Sequence, residues 1–253
     1  CQVGPHREDL RSQSRSMTAG AAGELYVLSA GAAQGLVAAL APRLLADEDV
    51  TLRTTFGAVG AIREKLLAGD RCDVLILTES MIDQLTASGH VVANSGAALG
   101  HVRTGIGVRF DDPPPDISDR QALERSLRNA TDIFLPDPQR ATAGIHFVRV
   151  LKRLEIYDEL SPRLRPHPNG ATAMHAMAQS DASRPIGCTQ ITEIKSAEGV
   201  QLVGPLPREF ELSTVYSAAV CADASQPELA RHFVRSLSGS LNAGVRSDAG
   251  FDA

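Results

Sequence analysis

Five short stretches of this 253-residue chain bring small and polar residues to the start of an expected helix. They are SAGAAQG (29–35), TFGAVG (55–60), TES (78–80), DPQRATAG (137–144) and PNGAT (168–172). Glycine and alanine let backbone N–H groups approach a ligand closely, and a helix N-terminus favours negative charge. The chemistry on offer is therefore capture of an anion by amides. Taken singly, each stretch is also an ordinary tight turn; five at strand ends point to one shared cleft. The polar side chains at these ends are Ser29, Thr78 with Glu79, Arg140, Thr142, Asn169 beside Gly170 and Thr172, then Thr189 and Gln190. Arg140 precedes a helix start, where its planar fork suits a carboxylate. A solvated surface arginine is the bland alternative.

Covalent or metal chemistry finds little support. GxSxG, HExxH and Walker patterns are absent. The four cysteines, Cys1, Cys72, Cys188 and Cys221, form no CxxC and no Cys/His cluster. No metal and no cofactor is expected. Cys188-Thr189-Gln190 is the best nucleophile candidate, but no histidine lies near it in sequence; Cys188 and Cys221 read as small buried hydrophobes. His175, within AMHAMA, reads as a partly buried core histidine, as do His101 and His146.

The elements that must position these residues alternate in period. Leu25–Leu28 and Val74–Leu77 are continuous apolar runs, as in strands buried on both faces, and Val50, Leu52, Thr54 and Phe56 alternate as a strand does. Between them Leu36, Leu40 and Leu44, then Ile62, Leu66 and Leu67, keep helical spacing, with Pro42 expected to kink or end the first helix. Glu79 to Ser88 is helical up to Gly89, completing a βαβαβ series with a parallel sheet. Gly105–Phe110 reads as a strand, and FDDPPPD (110–116) is a hard stop. After it, helices are expected at 118–128 (capped by Ser118), 146–154, 171–179 and 226–237, and strands at 133–135, 186–189 and 215–221.

Composition sets the class. Hydrophobic residues make up 43% and charged ones 22%, enough for a sizeable core without staples. A net charge of −5 with no basic stripe argues against nucleic acid, and 4% aromatics leave few stacking platforms. No run approaches the roughly 18 apolar residues of a membrane span. Residues 1–23 read as a disordered leader: either an export signal has been removed, or Met17 is the true start and the protein is cytoplasmic.

The order ELYVLSAGAAQGL, TTFGAVGAIREKLLAGDRCDVLIL, LPDPQRATAGIHFVRVLKRLEIYDEL and GVRSDAGF resembles the molybdate-binding proteins of bacterial ABC transporters, and more broadly the type II periplasmic binding proteins, over residues 24–251. The resemblance implies an α/β fold of two lobes, each a mainly parallel sheet flanked by helices. Lobe one would be 24–101 plus 216–253 and lobe two 102–215, with hinge crossings near 99–107 and 203–217. It implies a periplasmic protein that closes on a small anion and hands it to an ABC permease. Carried over by position, its contacts fall on Gly31, Ala32, Ala58, Val59, Ala141 to Gly144 with Thr142 and Ala143, and Tyr216. Molybdate binders place hydroxyls where this chain has Ala32 and Val59. A hydrogen bond to a charged group contributes about 1.5–3 kcal/mol. Two losses cost roughly 3–6 kcal/mol, about 10² to 10⁴ in affinity. An organic carboxylate is therefore expected over molybdate. The alternative is a cytosolic enzyme of the same fold, an isomerase or hydratase of a small carboxylic acid.

Overall fold

The computed structural model describes residues 23–44 and 50–253, so the expected leader lies outside the described residues except for Gly23. In chain order the elements begin β1 (Gly23–Ala30), a 3-10 turn (Gly31–Ala33) leading into α1 (Gln34–Leu44), β2 (Val50–Gly57), α2 (Val59–Leu67), β3 (Val74–Thr78), α3 (Glu79–Ala87) and β4 (Ala97–Arg109). The middle of the chain gives α4 (Arg120–Asn129), β5 (Asp132–Pro136), α5 (Thr142–Arg153), α6 (Tyr157–Leu160), β6 (Leu164–His167), α7 (Gly170–Ala178), β7 (Pro185–Gln190), α8 (Ile191–Ser196) and β8 (Val200–Pro205). The last part is β9 (Ser213–Val220), α9 (Pro227–Ser238) and α10 (Ala243–Ala249).

Nine strands join in the order β2-β1-β3-β9-β4-β7-β5-β6, with β8 added to β4. The triplets β2-β1-β3 and β7-β5-β6 are parallel, whereas β9 runs antiparallel to β3 and β4. β4 is the shared strand. Its first half pairs with β9, and from Thr104 onward it pairs with β7 and β8. The buried apolar side chains divide accordingly: one cluster draws on residues 25–102 and 216–251, the others on residues 106–210.

Several local expectations need correction. Pro42 does not end the first helix: α1 runs through it to Leu44. Ser118 does not cap α4; Asp119 does, its carboxylate accepting from the Ala122 amide at 2.8 Å. β4 begins at Ala97, eight residues before the strand the sequence suggests at Gly105, since its first half carries Gly100, His101 and Arg103 rather than an apolar run. The short elements β6, α6, α8 and α10 escape periodicity altogether. His101 and His175 are exposed, not core, and His146 is half-buried with Nε2 2.7 Å from the Phe210 carbonyl oxygen. Cys188 and Cys221 are buried thiols as read from their apolar neighbours; the Cys221 Sγ lies 3.0 Å from that of Cys72.

One buried acid fixes lobe one. Asp73 is 1% exposed. It accepts from the Tyr26 amide at 2.8 Å, from the Ser225 amide at 2.6 Å and hydroxyl at 2.9 Å, and from the Gln226 amide at 3.1 Å. It thereby ties β1 to the start of α9 by taking the amides of Ser225 and Gln226, which immediately precede Pro227 at the helix's first position.

Candidate functional site

Four long helical segments begin at one spot between the lobes. Their flanking N-cap residues are Ala30, Ala58, Ala141 and Asn169, and all four line the same cleft. The first amides of a helix have no partner inside it. Usually a side chain at the N-cap satisfies one of them, yet Ala30, Ala58 and Ala141 supply none. Three helix starts thus present bare N–H groups and the positive end of a dipole to the cleft. The fourth is closed: Asn169 Oδ1 accepts from the Thr172 amide at 2.9 Å, and Thr172 Oγ1 returns a bond to the Asn169 amide at 3.2 Å.

Around these amides the walls are alkyl. Ala32, Val59, Pro136 and Ala143 complete the lining with Gly31, Gly57, Thr142, Gly170, Gln190, Glu193 and Tyr216. The space left is about 20 Å³, the room one water needs, so a larger guest requires the lobes to part. What holds them together is visible at the rim. The Gly60 amide of α2 donates to the Arg140 carbonyl at 3.1 Å, and the Arg140 guanidinium lies 3.7 Å from Glu64. A roomier hollow of about 250 Å³ sits on the outer edge of lobe two, lined by Pro113, Pro115 and Arg184. It collects no helix start.

Of the residues singled out from sequence, Gly31, Ala32, Ala58, Val59, Thr142, Ala143, Asn169, Gly170, Gln190 and Tyr216 line the cleft. Ser29, Thr78, Arg140 and Thr189 do not. Ser29 is fully buried and spends its hydroxyl on the Ala30 carbonyl at 2.9 Å. Thr78 is paired with Tyr216 across β3 and β9, and it is Tyr216 that lines the cleft. Thr189 sits one layer behind, donating to Glu193. Arg140 stands at the rim, its side chain 53% exposed and 3.7 Å from Glu64. The TES corner likewise gives way to the β7–α8 corner.

That corner brings the residue the sequence reading missed. Glu193, on α8, is 5% exposed and lines the cleft. Its Oε2 accepts from Thr189 Oγ1 at 2.5 Å and its Oε1 from the Gly170 amide at 3.2 Å. A β-carbon on either Gly31 or Gly170 would overlap this carboxyl, which explains the two glycines and shows that Glu193 touches both lobes. Burial pushes its pKa up, while the donors from Thr189, Gly170, Gln190 and Ala171 pull it back. The signal was present as Gln190-Ile191-Thr192-Glu193 at a strand end, an acid on the third residue of a helix reaching back to its cap. Beside it Gln190, 2% exposed, donates through Nε2 to the Tyr216 hydroxyl at 3.1 Å, while its Oε1 is buried without a partner. The Tyr216 phenol is itself pushed far up by burial, with the Glu193 charge adding to it. Cys188 is fully buried on β7 and burial raises its thiol, the wrong direction for a nucleophile. No group of His, Cys, Asp and Glu among the described residues is arranged to hold a metal.

The family model of the bacterial extracellular solute-binding proteins matches residues 25–252. The chain belongs to that family. Among curated relatives it is 28% identical to an aconitate isomerase of a Pseudomonas species over 235 residues, covering 89% of this chain and 86% of that one. It is 20% identical to the molybdate-binding protein ModA of Escherichia coli, covering 78% and 77%. Among solved structures, the periplasmic molybdate-binding protein of Azotobacter vinelandii superposes with a TM-score of 0.75 at 18% identity, over 90% of this chain and 99% of that one. This solute-binding protein therefore has the type II periplasmic binding fold, and its cleft is where the lobes of that fold meet. No helix among the described residues is long and apolar enough to cross a membrane.

Proposed function

We propose that this solute-binding protein captures a small organic carboxylate between its lobes, rather than molybdate, and passes it to an ABC permease. One observation carries the choice of ligand: three helix starts offer amides whose N-cap side chains are alanine, with Ala32 and Val59 in place of hydroxyls, between walls of alanine, valine and proline. Amides suit the anionic end, and the alkyl walls suit a carbon skeleton. The molybdate-named relatives support anion capture in this fold; the relative named for aconitate supports a carboxylic acid. A thermal-shift panel tests it, with molybdate, tungstate and sulfate set against di- and tricarboxylates. A ligand at about 100 Kd adds roughly 2.7 kcal/mol of stability. Shifts with carboxylates alone are expected; a shift with molybdate overturns the choice of ligand.

A second reading is favoured by Glu193. A buried carboxyl in a closed cleft is the kind of group that moves protons on a bound acid, and the 28% relative carries the name of an isomerase. Aconitate recovered after incubation separates the two. An unchanged isomer means capture, and a new isomer appearing at a catalytic rate means an enzyme.

A further inference from the structure

Two polar groups in the cleft have no use in holding a simple anion. The helix starts supply donors; Gln190 Oε1 and the Glu193 carboxyl supply acceptors. Gln190 Oε1 is buried and unpartnered, in a residue only 2% exposed, because its Nε2 is already given to Tyr216. Glu193 is surrounded by donors alone: the Thr189 hydroxyl and the amides of Gly170, Ala171 and Gln190. Those donors favour the ionised carboxylate, while burial works against it and raises its pKa. An unmet buried acceptor costs about 1–3 kcal/mol, more when it is charged. Molybdate, sulfate and a fully ionised dicarboxylate bring no donor to relieve Gln190 Oε1. A hydroxycarboxylate brings both halves: a carboxylate for the amides of 31–33 and the α2 and α5 starts, and an O–H for Gln190 Oε1.

We propose that the cleft selects anions carrying a hydrogen-bond donor beside the charge, with hydroxycarboxylates as the ligand class. This rests on the carboxylate reading above and narrows it. The physical basis is that a site with buried acceptors rejects the analogue lacking the donor more strongly than it rewards the right ligand, by leaving those acceptors stranded. Gln190 is then a specificity-determining residue.

The test is isothermal titration at pH 8 with four probes: malate, succinate, phosphate and sulfate. Each pair differs in one donor, since phosphate keeps a proton at that pH and sulfate does not. Malate is expected to bind at least about tenfold more tightly than succinate. In Gln190→Met, which keeps the volume but removes the acceptor, that ratio is expected to fall toward one. Because the wild-type ratio is the primary readout, the test survives a variant that folds poorly. Equal binding of malate and succinate, with sulfate silent, overturns donor selection and leaves the carboxylate reading standing. Phosphate binding over sulfate, with both dicarboxylates silent, does the reverse. Succinate or sulfate matching the best probe overturns donor selection, as it would if the Gln190 amide were turned over to present Nε2. Silence from all four overturns both.

Discussion

At the scale of single residues, Glu193 is the group whose environment is most at odds with its type. Its carboxyl is buried where two helix starts and two lobes meet, and desolvation raises its pKa above the usual glutamate value of 4.5. In linkage terms, the unfolded chain loses this proton first as pH rises. The resulting stabilisation is complete below the unfolded value and is lost as pH climbs through the folded one, at about 1.4 kcal/mol per unit of separation. The melting temperature of the wild type relative to Glu193→Gln is therefore expected to decline as pH rises above 4.5. A difference that stays constant from pH 4 to 8 would remove the argument. Other single residues explain the sequence rather than the ligand. Ser29, Thr78 and Thr189 look alike as strand-end hydroxyls, yet each is spent inside the protein, on Ala30, Ser80 and Glu193 respectively.

At the scale of elements, the helix starts separate by how they are capped. α7 closes its own end with Asn169 and Thr172, and α4 with Asp119. α2 and α5 begin at alanines whose side chains accept nothing. A cap forgone sacrifices about 1 kcal/mol of helix stability, so the open ends are a cost set against ligand binding. Ala58→Asp is expected to raise the melting temperature of the ligand-free protein, corresponding to about 1 kcal/mol. It should also abolish anion binding, because its carboxylate takes the amides the guest needs. Calorimetry on the free protein and titration with a bound anion read the two effects separately; retained binding would place the anion elsewhere than at α2. The same logic shows why α8 was hard to anticipate. Six residues give no period, and its contribution is two side chains, Gln190 and Glu193, rather than an anion-facing end.

For the whole molecule, the lobes meet at the rim through few contacts. Gly60 meets Arg140 across the rim so closely that a β-carbon there would lie 3.2 Å from the Arg140 carbonyl oxygen. Gly60→Ala is expected to stabilise α2 by about 1 kcal/mol. In the same variant, crowding at the rim should weaken ligand affinity severalfold. Small-angle scattering with and without ligand should show a smaller compaction than in the wild type; unchanged compaction and affinity would mean the rim yields without cost. The Arg140–Glu64 pair, half-exposed on both sides and 3.7 Å apart, adds little by comparison.

What the sequence alone determined was set by local pattern. Apolar runs at β1, β3 and β5, helical stripes at α1, α2 and α9, and glycine-rich corners after the strands specify an α/β chain with anion-facing helix starts. Those signals survive because periodicity and backbone permissiveness are properties of a few neighbouring residues. The family resemblance carried the two-lobe arrangement, and it located the corners at Gly31, Ala58 and Thr142. Only the tertiary structure decided which polar side chains line the cleft. Arg140 and Glu193 are both charged residues near a helix start; the place of Glu193 three residues after Gln190 is a local capping signal, but it does not say that the side chain is buried between the lobes. One turns outward to Glu64 across the rim. The other is drawn inward because Thr189 and Gln190 of β7 and Gly170 of α7 offer their donors at one point. A hydrogen-bond network assembled from β7, α7 and α8 exists only once the chain has brought them together.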